Sequence, residues 1–156
     1  MTLLHDDGHA VSLKVAGRGE PGYVDSLCRR WPRPNVEYVG FARPSDFFSS
    51  VDIAVFPSES YEALGNVVFE AYSQALPVVA TACGGPAETV HVGQTGFLVP
   101  PGDAASLADR MAYLCEHPET RTAMSRMALH RAGDFLLSQR VADYVSAIEG
   151  FSGVAA

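Results

Sequence analysis

Short apolar runs alternate with longer amphipathic stretches from Val11 almost to the end of the chain. Runs rich in β-branched residues and closed by Gly, Pro or Asp read as buried strands. Five fit: Val11–Ala16, ended by Gly17-Arg18-Gly19; Val36–Val39, closed by Gly40; Asp52–Phe56, which stops at Pro57; Pro77–Ala80; and Gly96–Val99. The intervening pattern predicts a helix over Tyr23–Arg30 and a short one over Ser45–Ser50 with Ser45 as its cap. It also predicts a helix from Gly65 to Ala75 and a single helical turn over Ala87–Val90. The C-terminal third is helical. Asp103 caps a helix with Leu107, Met111 and Leu114 on one face. Pro118 suits the first turn of a second helix, and Ser138 caps a third bearing Val141, Tyr144, Val145 and Ile148. Such alternation predicts an α/β domain: a parallel sheet with right-handed crossovers and helices on both faces.

Size and charge narrow the partners more than the chemistry. At 156 residues the chain is one domain, able to bury a core, with no internal linker. A net charge of −7 gives no basic footprint for nucleic acid or an anionic membrane surface. No run approaches the roughly 18 apolar residues of a membrane helix. Met1–Ala10 lacks the cationic start and apolar centre of a signal peptide. Cys28, Cys83 and Cys115 are odd in number and lack metal-ligand spacing, so the expected location is a reduced cytoplasm.

The stretch from Pro57 to Pro77, PSESYEALGNVVFEAYSQALP, is the most informative. Glu62 falls in the loop at the C-terminal end of a strand, and Glu70 about one turn into the next helix. Open α/β sheets bind ligands in that crevice, and the free N–H groups of a helix start suit an anion. Gly65 at the junction lets a ligand approach the backbone closely. A carboxylate on each side of a row of amides fits a sugar, a phosphate and a ribose together. That combination points to a nucleotide-sugar site.

Four blocks in order carry a specific resemblance: Pro57-Ser58 with Glu62-Ala-Leu-Gly-Asn-Val-Val-Phe-Glu70-Ala, Pro77-Val-Val-Ala-Thr, Gly84-Gly85-Pro-Ala-Glu88, and Gly96-Phe-Leu-Val-Pro100. From about Val11 to Ile148 the chain resembles the C-terminal, donor-binding domain of group 1 (family 4) retaining glycosyltransferases. These are glycogen-synthase-like enzymes of the GT-B fold, with two Rossmann-like domains. Wording such as Leu64-Gly-Asn-Val leans towards bacterial surface-polysaccharide and lipopolysaccharide enzymes.

The resemblance implies transfer of a sugar, with retention, from a UDP-, GDP- or ADP-linked donor, with no metal and no further cofactor. By it, Glu62 is the catalytic carboxylate that positions the donor sugar and supports its oxocarbenium-like charge. Glu70 binds the ribose hydroxyls. Leu64, Gly65, Asn66 and Val67 turn towards sugar and phosphate, and Arg18 is the cation placed to touch phosphate. Gly17 lies near the nucleotide, and Phe41 and Ala42 contact the base through the main chain. Leu64 stands where the family usually has an aromatic residue, and Ala75 where it usually has glycine.

The family's diphosphate-binding Arg and Lys precede the strand represented by Val11–Ala16. Met1–Ala10 contains neither, and the acceptor-side histidine is absent too. A cationic clamp on a leaving diphosphate contributes orders of magnitude in rate. Residues 1–156 are therefore expected to form a single nucleotide-sugar-binding domain without the acceptor domain and the first part of the donor domain. Such a chain is expected to be inactive alone and to work with an acceptor domain supplied separately, or to self-associate. Any peripheral membrane association would come through that other half.

Plainer readings stand beside these. Glu70, set among Val67, Val68, Phe69, Ala71 and Tyr72, reads as a buried carboxylate needing a partner, which a structural ion pair would also supply. Glu62 could be a solvated loop acid beside Glu59, and Gly65 an ordinary glycine at a helix start. Gly17-Arg18-Gly19 could be a tight turn, Phe41 a core residue, and Glu88 architectural. Rival functions are a non-catalytic module binding a nucleotide or a protein, and a sugar-nucleotide epimerase. No competing catalytic set emerges. The five histidines lack ligand spacing beyond His5 and His9, Cys83 has no histidine partner, and neither a Gly-x-Ser-x-Gly elbow nor a phosphate-binding loop ending in Gly-Lys-Ser/Thr is present.

Overall fold

The computed structural model describes residues 11–20, 22–30, 35–61, 63–135 and 137–152. Its strands are β1 (Leu13–Ala16), β2 (Val36–Gly40), β3 (Ala54–Phe56), β4 (Val78–Thr81) and β5 (Gly96–Val99). Between and after them lie α1 (Tyr23–Arg30), α2 (Pro44–Phe48), α3 (Asn66–Ser73), α4 (Gly85–Thr89), α5 (Ala104–Glu116), α6 (Pro118–Gly133) and α7 (Leu137–Ser152). Every strand pairing is parallel, as the alternation requires. The pairing is divided, however. Among the described residues the strands form two sheets, β1-β2 and β3-β4-β5, rather than the single sheet expected. Hydrophobic periodicity reports that a run is extended; it does not say along which edge the run pairs.

β4 is the hub of the larger sheet, with all four of its residues buried. Successive side chains of a strand point to opposite faces. Val78 and Ala80 pack with Val68, Ala71 and Tyr72 of α3, Phe48 of α2 and Ala128 of α6. Val79 packs on the other face with Leu114 of α5 and Met124 of α6, flanked by Leu107 and Met111. The stripe expected on α5 is thus the buried one.

Helix ends show which local signals were decisive. Asp103 caps α5 as expected: its carboxylate accepts from the Ser106 N–H at 2.9 Å and the Ser106 hydroxyl at 2.7 Å. Pro118 opens α6. Ser45 is not a cap, because α2 starts at Pro44 with Arg43 before it, and the Ser45 hydroxyl lies 3.4 Å from the Asp46 carboxylate. A proline fits the first helical turn better than a serine fits the position before it. Ser138 likewise falls inside α7, which begins at Leu137. The single turn expected at Ala87–Val90 begins earlier, at Gly85.

α3 closes in a Schellman motif. The Ala75 N–H bonds the Tyr72 carbonyl at 2.9 Å, and the Leu76 N–H bonds the Ala71 carbonyl at 3.1 Å. Ala75 adopts φ 56° there, among the described residues the one non-glycine with positive φ. Alanine thus occupies a left-handed position that suits glycine. On α7, Val141, Tyr144, Val145 and Ile148 are all exposed. No described helix is long and apolar enough to cross a membrane.

Candidate functional site

The loops after β1, β2, β3 and β4 carry the residues singled out above, so the candidate site follows the C-terminal ends of parallel strands. Its best-defined part is the start of α3. Gly65 is the residue before the helix, with φ 66° and ψ 50°, a left-handed conformation that costs other residues about 1–2 kcal/mol. Its carbonyl accepts from the Val68 N–H at 2.8 Å. The N–H groups of Asn66 and Val67 precede the first closed turn, where a helix carries partial positive charge. Asn66 is exposed and Val67 half-buried. The Leu64 side chain is 55% exposed.

Glu70 is exposed, which corrects the expectation of a buried carboxylate. The buried face of α3 is made by Val68, Ala71 and Tyr72. Asn66, Glu70 and Ser73 occupy the opposite, open face at helical spacing. The helix is amphipathic, although its composition suggested apolar character all round. An open face puts the Glu70 carboxylate one turn beyond the amides of the helix start, free of an internal ion-pair partner among the described residues. Glu62 lies outside the described residues, between Tyr61 and Ala63, both exposed.

At the other sheet, the Gly17 N–H donates to the Gly40 carbonyl at 2.8 Å, tying the ends of β1 and β2 together. The structure brings Arg18 onto Phe41, with the guanidinium carbon 4.1 Å from the ring centroid. Phe41 is 66% exposed, which removes the reading of a core residue. A guanidinium stacked by its face on a ring keeps its edge N–H groups for an anion. Ala42 is half-buried and Gly17 exposed.

Sequence reasoning missed two supports. Tyr72, fully buried on α3, places its hydroxyl 2.6 Å from the Thr95 hydroxyl and 3.5 Å from the Thr89 carbonyl. Burial raises the phenol above its ordinary pKa, which keeps it neutral. The other support is the turn Gly84-Gly85, where the start of α4 meets the backbone of Leu64. Glycine pairs signal turns, but their sequence does not name the segment they touch. A cleft of about 110 Å³ lies at Pro57, Glu59, Thr81 and the start of α5, and among the described residues none of the candidate site residues lines it. Among the described residues no cluster of three or more metal-ligating side chains occurs.

A family model described as glycosyl transferases group 1 matches residues 1–117. A D-inositol 3-phosphate glycosyltransferase from Kribbella flavida is 31% identical over 131 residues, 84% of this chain and 28% of that protein. The sulfoquinovosyl transferase SQD2 of Arabidopsis thaliana is 41% identical over 121 residues, 74% of this chain and 24% of that one. This chain therefore spans about a quarter of each relative's length. The crystal structure of HepE from Anabaena, in complex with UDP, superposes with a TM-score of 0.78 at 27% identity, covering 88% of this chain and 41% of HepE. Parallel strands, the motif blocks and these matches lead to one assignment: the chain belongs to the group 1 glycosyltransferases and has the α/β architecture of their C-terminal, GT-B domain.

Proposed function

We propose that this chain is the donor-binding domain of a glycosyltransferase that moves a sugar from a nucleoside-diphosphate sugar to an acceptor, with retention, in bacterial surface-polysaccharide or lipopolysaccharide synthesis. The observation that carries the reading is the start of α3, where a left-handed Gly65, the leading N–H groups of Asn66 and Val67, and an open Glu70 follow one another at a strand's C-terminal end. The amides hold the diphosphate as the bond to the sugar breaks, and Glu70 accepts the two ribose hydroxyls. Glu62 orients the sugar and supports the positive charge that develops at the reacting carbon. Arg18 touches phosphate, and the main chain at Phe41 and Ala42 meets the base. HepE structures with UDP and with UDP-glucose support a uridine nucleotide among the candidates. Three free cysteines support a reducing, cytoplasmic setting.

The exposed stripe on α7 supports a further part of the reading: the domain works against another body, an acceptor domain or a second copy, that covers Val141, Tyr144 and Val145. Alone, the chain binds nucleotide weakly and does not turn over. Calorimetric titration with UDP, GDP and ADP tests the donor site. Glu70→Ala is expected to lose about 1.5–3 kcal/mol of whatever binding the parent shows, the value of a hydrogen bond to a charged group. Equal affinity in parent and variant would refute the ribose assignment.

A further inference from the structure

The start of α4 lies against the loop that leads into α3 more closely than ordinary packing allows. Gly85 has no room for a side chain: a Cβ built there would overlap the Leu64 carbonyl carbon and fall 2.5 Å from its oxygen and 2.6 Å from its Cα. The obstacle is backbone, so no rotamer change relieves it. Next to it, a Cβ on Gly65 would come within 3.0 Å of the Pro86 Cδ and 3.1 Å of its Cγ. Two consecutive residues of one loop thus rest on two consecutive residues of the other. Gly84, at φ 65° and ψ −138°, brings the chain into this contact through a backbone conformation open to glycine.

α4 is also held at its far end. The Thr89 hydroxyl donates to the Gly85 carbonyl at 2.9 Å, while the Thr89 carbonyl faces the Tyr72 hydroxyl of α3. The Tyr72 hydroxyl meets the Thr95 hydroxyl, which in turn accepts from the His91 N–H at 3.0 Å. α3 and α4 are therefore joined at both ends, by a backbone contact and by a buried hydrogen-bond chain.

We propose that Gly85 is a positioning residue for the donor site: its bare Cα fixes the backbone of Leu64 and Gly65, and through them the amides that open α3. The proposal rests on the donor-site reading above and adds a residue that touches no substrate. A larger residue at position 85 would push the loop away from α4 and displace the anion-binding turn as a unit. Displacements of about 1 Å at such a site can cost about a hundredfold.

The test compares Gly85→Ala with Gly93→Ala. Gly93, unlike Gly85, has positive φ, 78°, and nothing lies within 4 Å of its Cβ position, so its variant carries backbone strain without a collision. UDP affinity by calorimetry and amide exchange at Val68, whose N–H bonds the Gly65 carbonyl, are read on both and on the parent. Gly85→Ala is expected to weaken UDP by about tenfold or more and to speed Val68 exchange by about tenfold, with β4 amides unchanged. Gly93→Ala should lower the melting temperature and leave both readouts at parent values. A folded Gly85→Ala with parent-like affinity or parent-like Val68 exchange overturns the proposal. If the parent itself does not bind UDP, the donor reading fails, and Val68 exchange alone decides whether Gly85 fixes the loop. If Gly85→Ala does not fold, Pro86→Ala replaces it by removing the ring atoms set against Gly65. Faster Val68 exchange supports the proposal there, and unchanged exchange overturns it.

Discussion

The two sheets are built from the same kind of strand and buried to different depths. In β4 every residue is buried, and helices on both faces contribute side chains to it. In β1 three residues are half-buried and the last is exposed, and α1 beside it has no buried residue. Parallel strands are usually covered on both faces, so β1-β2 is the atypical half. The difference bears on the proposed site. The amides proposed for phosphate and the Glu70 proposed for ribose sit on α3, which is anchored to the deep core. Arg18 and Phe41 sit on the shallow half and lean on one another. One end of a bound nucleotide would meet a preorganised surface; the other would have to order its own contacts on binding, at a cost in affinity.

Core truncation gives the largest contrast between the halves. Leu114→Ala removes a fully buried side chain under β4 and is expected to cost about 2–5 kcal/mol. Val15→Ala in β1 trims a half-buried one and should cost under about 1.5 kcal/mol. Denaturant titration of both variants checks this, and equal losses would mean that the shallow half shares the cooperative core.

A smaller effect sharpens the picture of α3. Ala75 holds a left-handed conformation that costs about 1–2 kcal/mol, and glycine would return part of the gain through its freer unfolded chain. Ala75→Gly is expected to stabilise by a net of about 0.5–1 kcal/mol, a rise of about 1–4 °C in melting temperature. A fall in melting temperature would show that the unfolded-chain effect outweighs the strain.

The smallest effect is read through pH. The Asp103 carboxyl is held below its ordinary pKa, first by the Ser106 hydroxyl and then by the Ser106 N–H. Because the folded value is depressed, its stabilisation is present above the unfolded value of about 3.9 and disappears as pH falls through the folded one. The difference in melting temperature between parent and Asp103→Ala should be constant above about pH 4 and shrink below it. A difference that persisted at the lowest pH would assign the cap's effect to something other than its charge.

Elements with their own local signals were legible. Tyr23–Arg30, Gly96–Val99, the Asp103 cap and the proline opening α6 needed no knowledge of the rest of the molecule. What the chain did not disclose was set by distant partners. Division into two sheets depends on strand edges, and the exposure of Glu70 on which face of α3 met β4. The meeting of Gly85 with Leu64 depends on two loops after different strands arriving at one place. Resemblance to a family located the candidate residues; it could not say which of them stand in the open.

The alternation of β4 between two cores also bears on how the protein can change over generations. Substitutions around Val78 and Ala80 disturb the side chains under α3, while those around Val79 disturb a separate set. Changes at sites without shared partners tend to combine additively. Residues against α5 could therefore drift or be redesigned with little effect on what accumulates beneath α3. The exceptions are α6, which gives Met124 to one cluster and Ala128 to the other, and β5, which gives Phe97 and Leu98 to them in the same order. Epistasis between the two faces should run through those two elements.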